Sequence, residues 1–257
     1  MITVVSPAKK LSSHCQARTD KYQNPEFINE SHDLILQLKS LSPVDLEGLM
    51  GISEKLAILN WERIQNWNPN FSSNSTQEAI FSFKGDTYVG LGAESFNENE
   101  IKFAQDHLRI LSGLYGILKP LDLMMPYRLE MGTKFENKHG KNLYKFWGDK
   151  LSNSLKSQLK KHDEKTIINC ASVEYFKSIK NPSLDAKIIT PIFKEIKLGK
   201  PKLISFFAKK ARGMMARFII KNKINHHNKI LGFESDGYKY NQELSTETEP
   251  VFTRSQV

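Results

Sequence analysis

The 257-residue chain has only two cysteines, no apolar run long enough to span a bilayer, no internal repeat and no low-complexity tract. Cys15 in a polar segment and Cys170 in the run Ile167-Ile168-Asn169-Cys170-Ala171 make neither a disulfide framework nor a metal site. Cys170 is expected in the core and Cys15 at the surface, where nothing beside it argues for an activated thiol. The seven histidines show no ligand spacing, and the adjacent pair His226-His227 is expected to be solvated or to face phosphate. The start of the chain, residues 1–10, is a short apolar run followed by lysines, unlike a secretory leader. These absences predict no metal, no cofactor, no membrane partner and a cytoplasmic location, with a monomer as the expected state.

What is present is charge of one sign, concentrated in one place. The chain carries a formal +9, while residues 194–229 alone hold eleven Lys/Arg against a single acid, Glu195. The rest of the chain is therefore close to neutral. A pI near 9.3 produced by one stretch is the footprint of a polyanion-binding surface, although a solvated basic face has the same composition. At 39% hydrophobic and 10% aromatic residues, the chain also has the material for one substantial core.

Apolar periodicity predicts a buried strand over residues 2–5 and a helix from Pro25 to about Lys39. Ala79–Phe83 and Thr87–Leu91 read as two β-like runs around Lys84-Gly85-Asp86, and Asn97 with Glu100 has capping-box spacing for a helix through Leu111. Residues 112–142 are rich in glycine, proline and paired charges, the composition of a long ordered loop. Leu143 to about Leu159 is helical. Strand-like runs at Thr166–Cys170, Lys187–Phe193 and Leu203–Phe206 alternate with helix candidates at Val173–Ile179 and Phe207–Asn222, and turn-linked strands end the chain around Asp236-Gly237. Strands and helices mixed without a regular βαβ period predict an α+β fold, a single domain over 1–257 with a mixed sheet and flanking helices.

Two segments carry candidate binding chemistry. Ser42-Pro43 reads as an N-cap and first helical position, Val44, Leu46, Leu49 and Met50 as an apolar stripe, and Gly51 as a left-handed stop. Ile52 then packs back, Ser53 caps a second helix, and Lys55 sits in its first turn. Residues 43–67 thus resemble a helix-hairpin-helix, in which N–H groups at the second helix's positive end suit a phosphate oxygen. The same pattern also fits an ordinary αα-hairpin. On the helix at 207–222, Phe207, Ala211, Met214, Met215 and Phe218 share one face, Lys210, Arg217 and Lys221 an adjacent one, with Lys209 and Arg212 farther round.

Enzymatic chemistry has weaker support. Ser6 and Lys9 have Ser-x-x-Lys spacing, which a helix starting at Pro7 would place on one side, but the partner motifs of such acyl-transfer enzymes are absent. Asp86, Asp122, Glu130, Asp149 and Glu174 lie in candidate loops, where paired carboxylates suit metal-assisted phosphodiester cleavage. Each is more easily explained as a cap or as an ion-pair partner for Lys84 or Arg128. The alternative reading is a lyase or nuclease with its site in the 112–149 loops and Asp122, Glu130 and Lys9 as catalytic candidates.

Longer strings make the reading more specific. Ser6-Pro7-Ala8-Lys9, Phe83-Lys84-Gly85-Asp86-Thr87-Tyr88, Arg109-Ile110-Leu111-Ser112-Gly113-Leu114-Tyr115-Gly116, Tyr127-Arg128-Leu129-Glu130-Met131-Gly132 and Phe207-Ala208-Lys209-Lys210-Ala211-Arg212-Gly213 together resemble the YaaA family over nearly the whole chain. That resemblance implies a helix-hairpin-helix beside a basic cleft and binding of double-stranded DNA without strong sequence preference. It also implies a part in limiting free iron and DNA damage under hydrogen peroxide. By position, Gly51, Ile52, Ser53 and Lys55 belong to the hairpin and Lys9, Lys84, Lys209, Lys210 and Arg212 to the basic cleft; Arg217, on the basic face of the 207–222 helix, is a further candidate phosphate contact.

Overall fold

The computed structural model describes residues 1–13 and 16–255, so the expectation for Cys15 falls outside the described residues. The strands are β1 (Ile2–Val5), β2 (Lys10–Leu11), β3 (Gln77–Glu78), β4 (Phe83–Lys84), β5 (Leu108–Ser112), β6 (Gly116–Leu118), β7 (Leu123–Met124), β8 (Thr166–Cys170), β9 (Lys187–Ile189), β10 (Ile192–Lys197), β11 (Lys200–Lys202), β12 (Lys239–Asn241) and β13 (Val251–Ser255). The helices are α1 (Ile28–Leu38), α2 (Pro43–Met50), α3 (Glu54–Asn66), α4 (Ala79–Ser82), α5 (Asp86–Leu91), α6 (Glu98–His107), α7 (Leu143–Trp147), α8 (Lys150–Leu159), α9 (Val173–Phe176) and α10 (Ser205–Lys221). This is an α+β fold, as the irregular alternation predicts.

The central sheet has the order β6-β5-β1-β8-β9, parallel except for the antiparallel edge pair β5–β6. Every residue of β1, β5 and β8 is buried, which explains their near-continuous apolar sequence: a parallel strand covered on both faces has no solvent side to make polar. A second sheet, β11-β10-β13-β12, closes the C-terminal part around Phe193, Phe233 and Phe252, whose rings meet edge-on or stacked at 5.4–5.8 Å.

Helix α10 links the two sheets and crosses α5 at unusually short range. A Cβ on Gly90 would lie 2.1 Å from the Lys210 carbonyl oxygen, and one on Gly213 would lie 1.8 Å from that of Thr87. Only glycine permits this approach, and it sets the α10 side chains directly against the 84–87 turn.

Several expected boundaries move. Ala79–Ser82 and Asp86–Leu91 are helical, not extended, because α5 is held by its crossing with α10 and ends in left-handed Gly92. The capping box of Asn97 and Glu100 forms as expected, but its helix stops at His107 and Leu108–Ser112 instead joins β1. Residues 143–159 split at Gly148, which has positive φ. The 203–206 run belongs to the approach and first turn of α10, while Pro191 separates β9 from β10. Only Lys239–Asn241 and Val251–Ser255 of the C-terminal segments are strands, and residues 227–232 form a 3-10 helix.

Candidate nucleic-acid interface

The carboxyl ends of β1 and β8 lie side by side. From β1 the chain eventually reaches β5 on one flank, whereas from β8 it goes to β9 on the other. Where parallel strands send their connections in opposite directions, a crevice opens beyond their carboxyl ends. Here it is a cleft of about 510 Å³, lined by residues 6–10, 84–87 and 127–130 with Cys170, Ser172, Glu174, Tyr175, Lys209 and Arg212. Six cations (Lys9, Lys10, Lys84, Arg128, Lys209, Arg212) face three carboxylates (Asp86, Glu130, Glu174).

Its floor is rigid. Ser6 Oγ accepts a 2.8 Å bond from the Ser172 amide, and Tyr88 donates its hydroxyl to the Ser6 carbonyl at 3.0 Å. Ser112 and Tyr127 share a 2.6 Å hydroxyl contact behind the 127–130 segment. Glu130 is held from both sides, by Lys9 Nζ at 2.9 Å and by Arg128 Nη2 at 3.1 Å, while Arg128 Nε is buried without a hydrogen-bond partner. Glu174 accepts from the Gly132 amide at 2.8 Å, and Lys84 pairs with Glu94 at 2.5 Å.

Arg212 differs from the other arginines. Arg109 is buried against backbone carbonyls and Gln158, and Arg254 is forked between Glu195 and Asp236. Arg212 makes no hydrogen bond or ion pair with any described residue. Burial, the larger effect, lowers its pKa against the opposing influence of the neighbouring Cys170 thiol, whose own pKa burial pushes up to about 12. A half-buried guanidinium without a carboxylate is electrostatically incomplete, and an oxyanion entering the cleft supplies what is missing. Cys170 is 1% exposed, as expected of a core thiol.

The candidate residues separate into groups. Lys9, Lys84, Lys209 and Arg212 come together in the cleft. Lys210 and Arg217 do not: Lys210 pairs with Asp236 at 3.2 Å, and Arg217 Nη1 donates to the Leu91 and Gly92 carbonyls at 3.1 and 2.9 Å. Arg217 thereby neutralises the negative end of α5, a structural role that replaces the expected phosphate contact. Ser6 and Lys9 share no helix, and the Lys9 amine turns to Glu130 and not to Ser6. Asp122 lies outside the cleft, 1% exposed, accepting from the Lys119 amide at 2.8 Å and from Gln23 at 2.6 Å. Burial raises its pKa to about 7. Asp149 bonds Asn181, and the expectation for His227 is corrected because Glu164 takes both its amide and its ring Nδ1.

The hairpin has the expected backbone. Ser42 and Asp45 form a reciprocal capping box, and Gly51 closes α2 at φ 59°, ψ 48° with its N–H on the Glu47 carbonyl at 2.9 Å. Ile52 packs into the core. Ser53 holds the N-cap position of α3, but its hydroxyl makes no capping bond, so the first turn, with exposed Lys55 and Glu54, lacks a side-chain cap. None of these residues lines the cleft. Sequence reasoning missed Arg128, Tyr127 and Lys10 as cleft residues, although the first two stand in the 112–142 loop that it marked as unusual.

Fold and cleft define the class: an α+β protein with a rigid, net-cationic crevice at the carboxyl edge of a largely parallel sheet. Residues 1–244 match the family described as peroxide stress protein YaaA. A "UPF0246 protein" of Aliivibrio fischeri strain ES114 is 51% identical over 256 residues, covering 100% of this chain and 99% of its own, and one of Saccharophagus degradans is 52% identical over the full length of both. The chain belongs to this peroxide stress YaaA family. Among the described residues no helix is long and apolar enough to cross a membrane.

Proposed function

We propose that the protein is a cytoplasmic, monomeric DNA-binding protein of the peroxide response that grips the phosphate backbone of duplex DNA without reading its sequence. The observation that carries this reading is Arg212, a half-buried cation with no carboxylate partner among the described residues, on the same wall as exposed Lys209 and lining one cleft with Lys9 and Lys84. Lysine and arginine at such a surface recognise phosphate oxygens, which are identical at every base step. The first turn of α3 with Lys55 supplies a second, backbone-directed contact. Occupying the duplex in this way fits a protein that limits DNA damage under hydrogen peroxide.

Fluorescence anisotropy with two duplexes of equal length and unrelated sequence tests this. Equal affinities support it; no binding, or a preference for one duplex above about tenfold, overturns it. A second reading is favoured by one observation, that Glu130 and Glu174 enter the same cleft as Lys9 and Arg128. Incubation with nicked and abasic DNA, with and without divalent metal, separates the two. A product whose formation is abolished by Glu130→Gln makes the cleft an active site.

A further inference from the structure

The hairpin formed by β10 and β11 combines three features that its own stability does not require. Its two-residue turn is Leu198-Gly199, with φ of 50° and 71°. Both central positions of such a turn need positive φ, which asparagine, aspartate or glycine adopt readily and leucine resists. Leu198 nevertheless occupies the first, and its side chain packs on nothing: the residue is 95% exposed. The register then sets Lys197 directly opposite Lys200, two like charges across an antiparallel pair, with Lys202 two residues on. Glu195, opposite Lys202, is taken by Arg254 and Tyr238, and among the described residues none of these three lysines has a carboxylate partner.

Protection of a sheet edge explains part of this. β11 is an edge strand, and Lys200, Pro201 and Lys202 are residues that discourage pairing with another chain. Leu198 is not explained, since an exposed leucine at the tip invites the association that the lysines repel. A short segment joins the hairpin to α10, whose early turns carry the cleft residues Lys209 and Arg212; Leu203 in that segment and Phe206 in the first turn of α10 are 55% and 57% exposed. Apolar side chains set among unpaired lysines are the composition of a wedge: the lysines hold phosphates on either side while the apolar tip enters between base pairs.

We infer that the 197–202 hairpin is a second DNA contact of this protein and that Leu198 inserts between stacked base pairs of the duplex held by the cleft. The inference rests on the duplex-binding reading above. Phosphates relieve the Lys197/Lys200 repulsion, and the base stack takes up the side chain that the turn leaves in water.

A short duplex with 2-aminopurine at a central pyrimidine–purine step reports both parts, because the fluorescence of that base rises when it unstacks. Wild type is expected to raise the signal at saturation. Leu198→Gly is expected to bind with nearly the same salt dependence but no rise, and to melt no lower than wild type, since glycine takes this turn without strain. Lys197→Gln/Lys200→Gln/Lys202→Gln should reduce the salt slope by up to about three. Saturation by wild type without a rise, or an undiminished rise with Leu198→Gly, overturns the wedge and leaves the cleft reading intact. Failure of wild type to bind the duplex overturns that reading and the wedge with it.

Discussion

Replacing Arg212 with methionine separates binding from folding. Methionine keeps most of the apolar stem of arginine and removes only the guanidinium. In the free protein that group has no ion-pair partner among the described residues and burial already disfavours its charge, so the variant should melt at or above the wild-type temperature. In the complex it loses a charge-assisted phosphate contact worth about 1.5–3 kcal/mol, or about 10- to 150-fold in Kd, and about 0.9 of the salt slope. Arg254→Met is the control with the opposite outcome. It strands Glu195, which is 1% exposed and holds Arg254 Nε at 2.9 Å, at a cost of about 3–5 kcal/mol in stability. Thermal melting and anisotropy on one duplex read both variants. If Arg212→Met melts far below wild type and the folded fraction binds normally, Arg212 serves packing and the reasoning fails.

Gly51→Val forces a β-branched residue to φ 59° in open space, so its cost of about 1–2 kcal/mol is backbone strain alone. Once circular dichroism shows it folded, weaker duplex binding with an unchanged salt slope is expected; wild-type affinity would make the hairpin merely structural. Gly213→Ala brings a methyl group to 1.8 Å from the Thr87 carbonyl oxygen and should destabilise by about 3 kcal/mol or more in urea melts, while a wild-type midpoint would mean that α5 and α10 are not in close contact. Asp122 is raised to about 7 in the folded state from 3.8, so the native protein binds the extra proton between these values and stability falls as pH rises through that window. Asp122→Asn should therefore gain in melting temperature more at pH 8 than at pH 4, and an equal shift at both contradicts the burial argument.

Local chemistry made some features legible in the sequence. The Ser42/Asp45 and Asn97/Glu100 caps and the left-handed Gly51 follow from residues within four positions of each other. Non-local packing hid others. Asp86–Leu91 carries strand formers such as Tyr88 and Val89, yet it is helical against α10, more than a hundred residues away. Leu108–Ser112 looks like the end of a helix until β1 is available to pair with it. The charge excess of 194–229 pointed to α10, and helical spacing sets Lys209 and Arg212 apart from Lys210 and Arg217, but nothing nearby says which pair faces the cleft. That choice depends on Asp236 and the Gly92 carbonyl. The cleft itself exists because Ile2–Val5 pairs with Ile167–Cys170, a juxtaposition invisible to any short window.

The salt dependence of duplex binding decides whether the cleft holds the DNA backbone. The four cleft cations and Lys55 give about five phosphate contacts, a slope of about −4 to −5, and the three lysines of the 197–202 hairpin add up to three more, so log affinity should fall linearly with log salt at a slope of about −4 to −7. In the variant with Lys9, Lys84, Lys209 and Arg212 all changed to glutamine, the slope should shrink in magnitude by about 3.6 and the affinity fall at every salt concentration. A wild-type slope near zero, or a quadruple variant that keeps the wild-type slope, contradicts the assignment of this cleft to the DNA backbone.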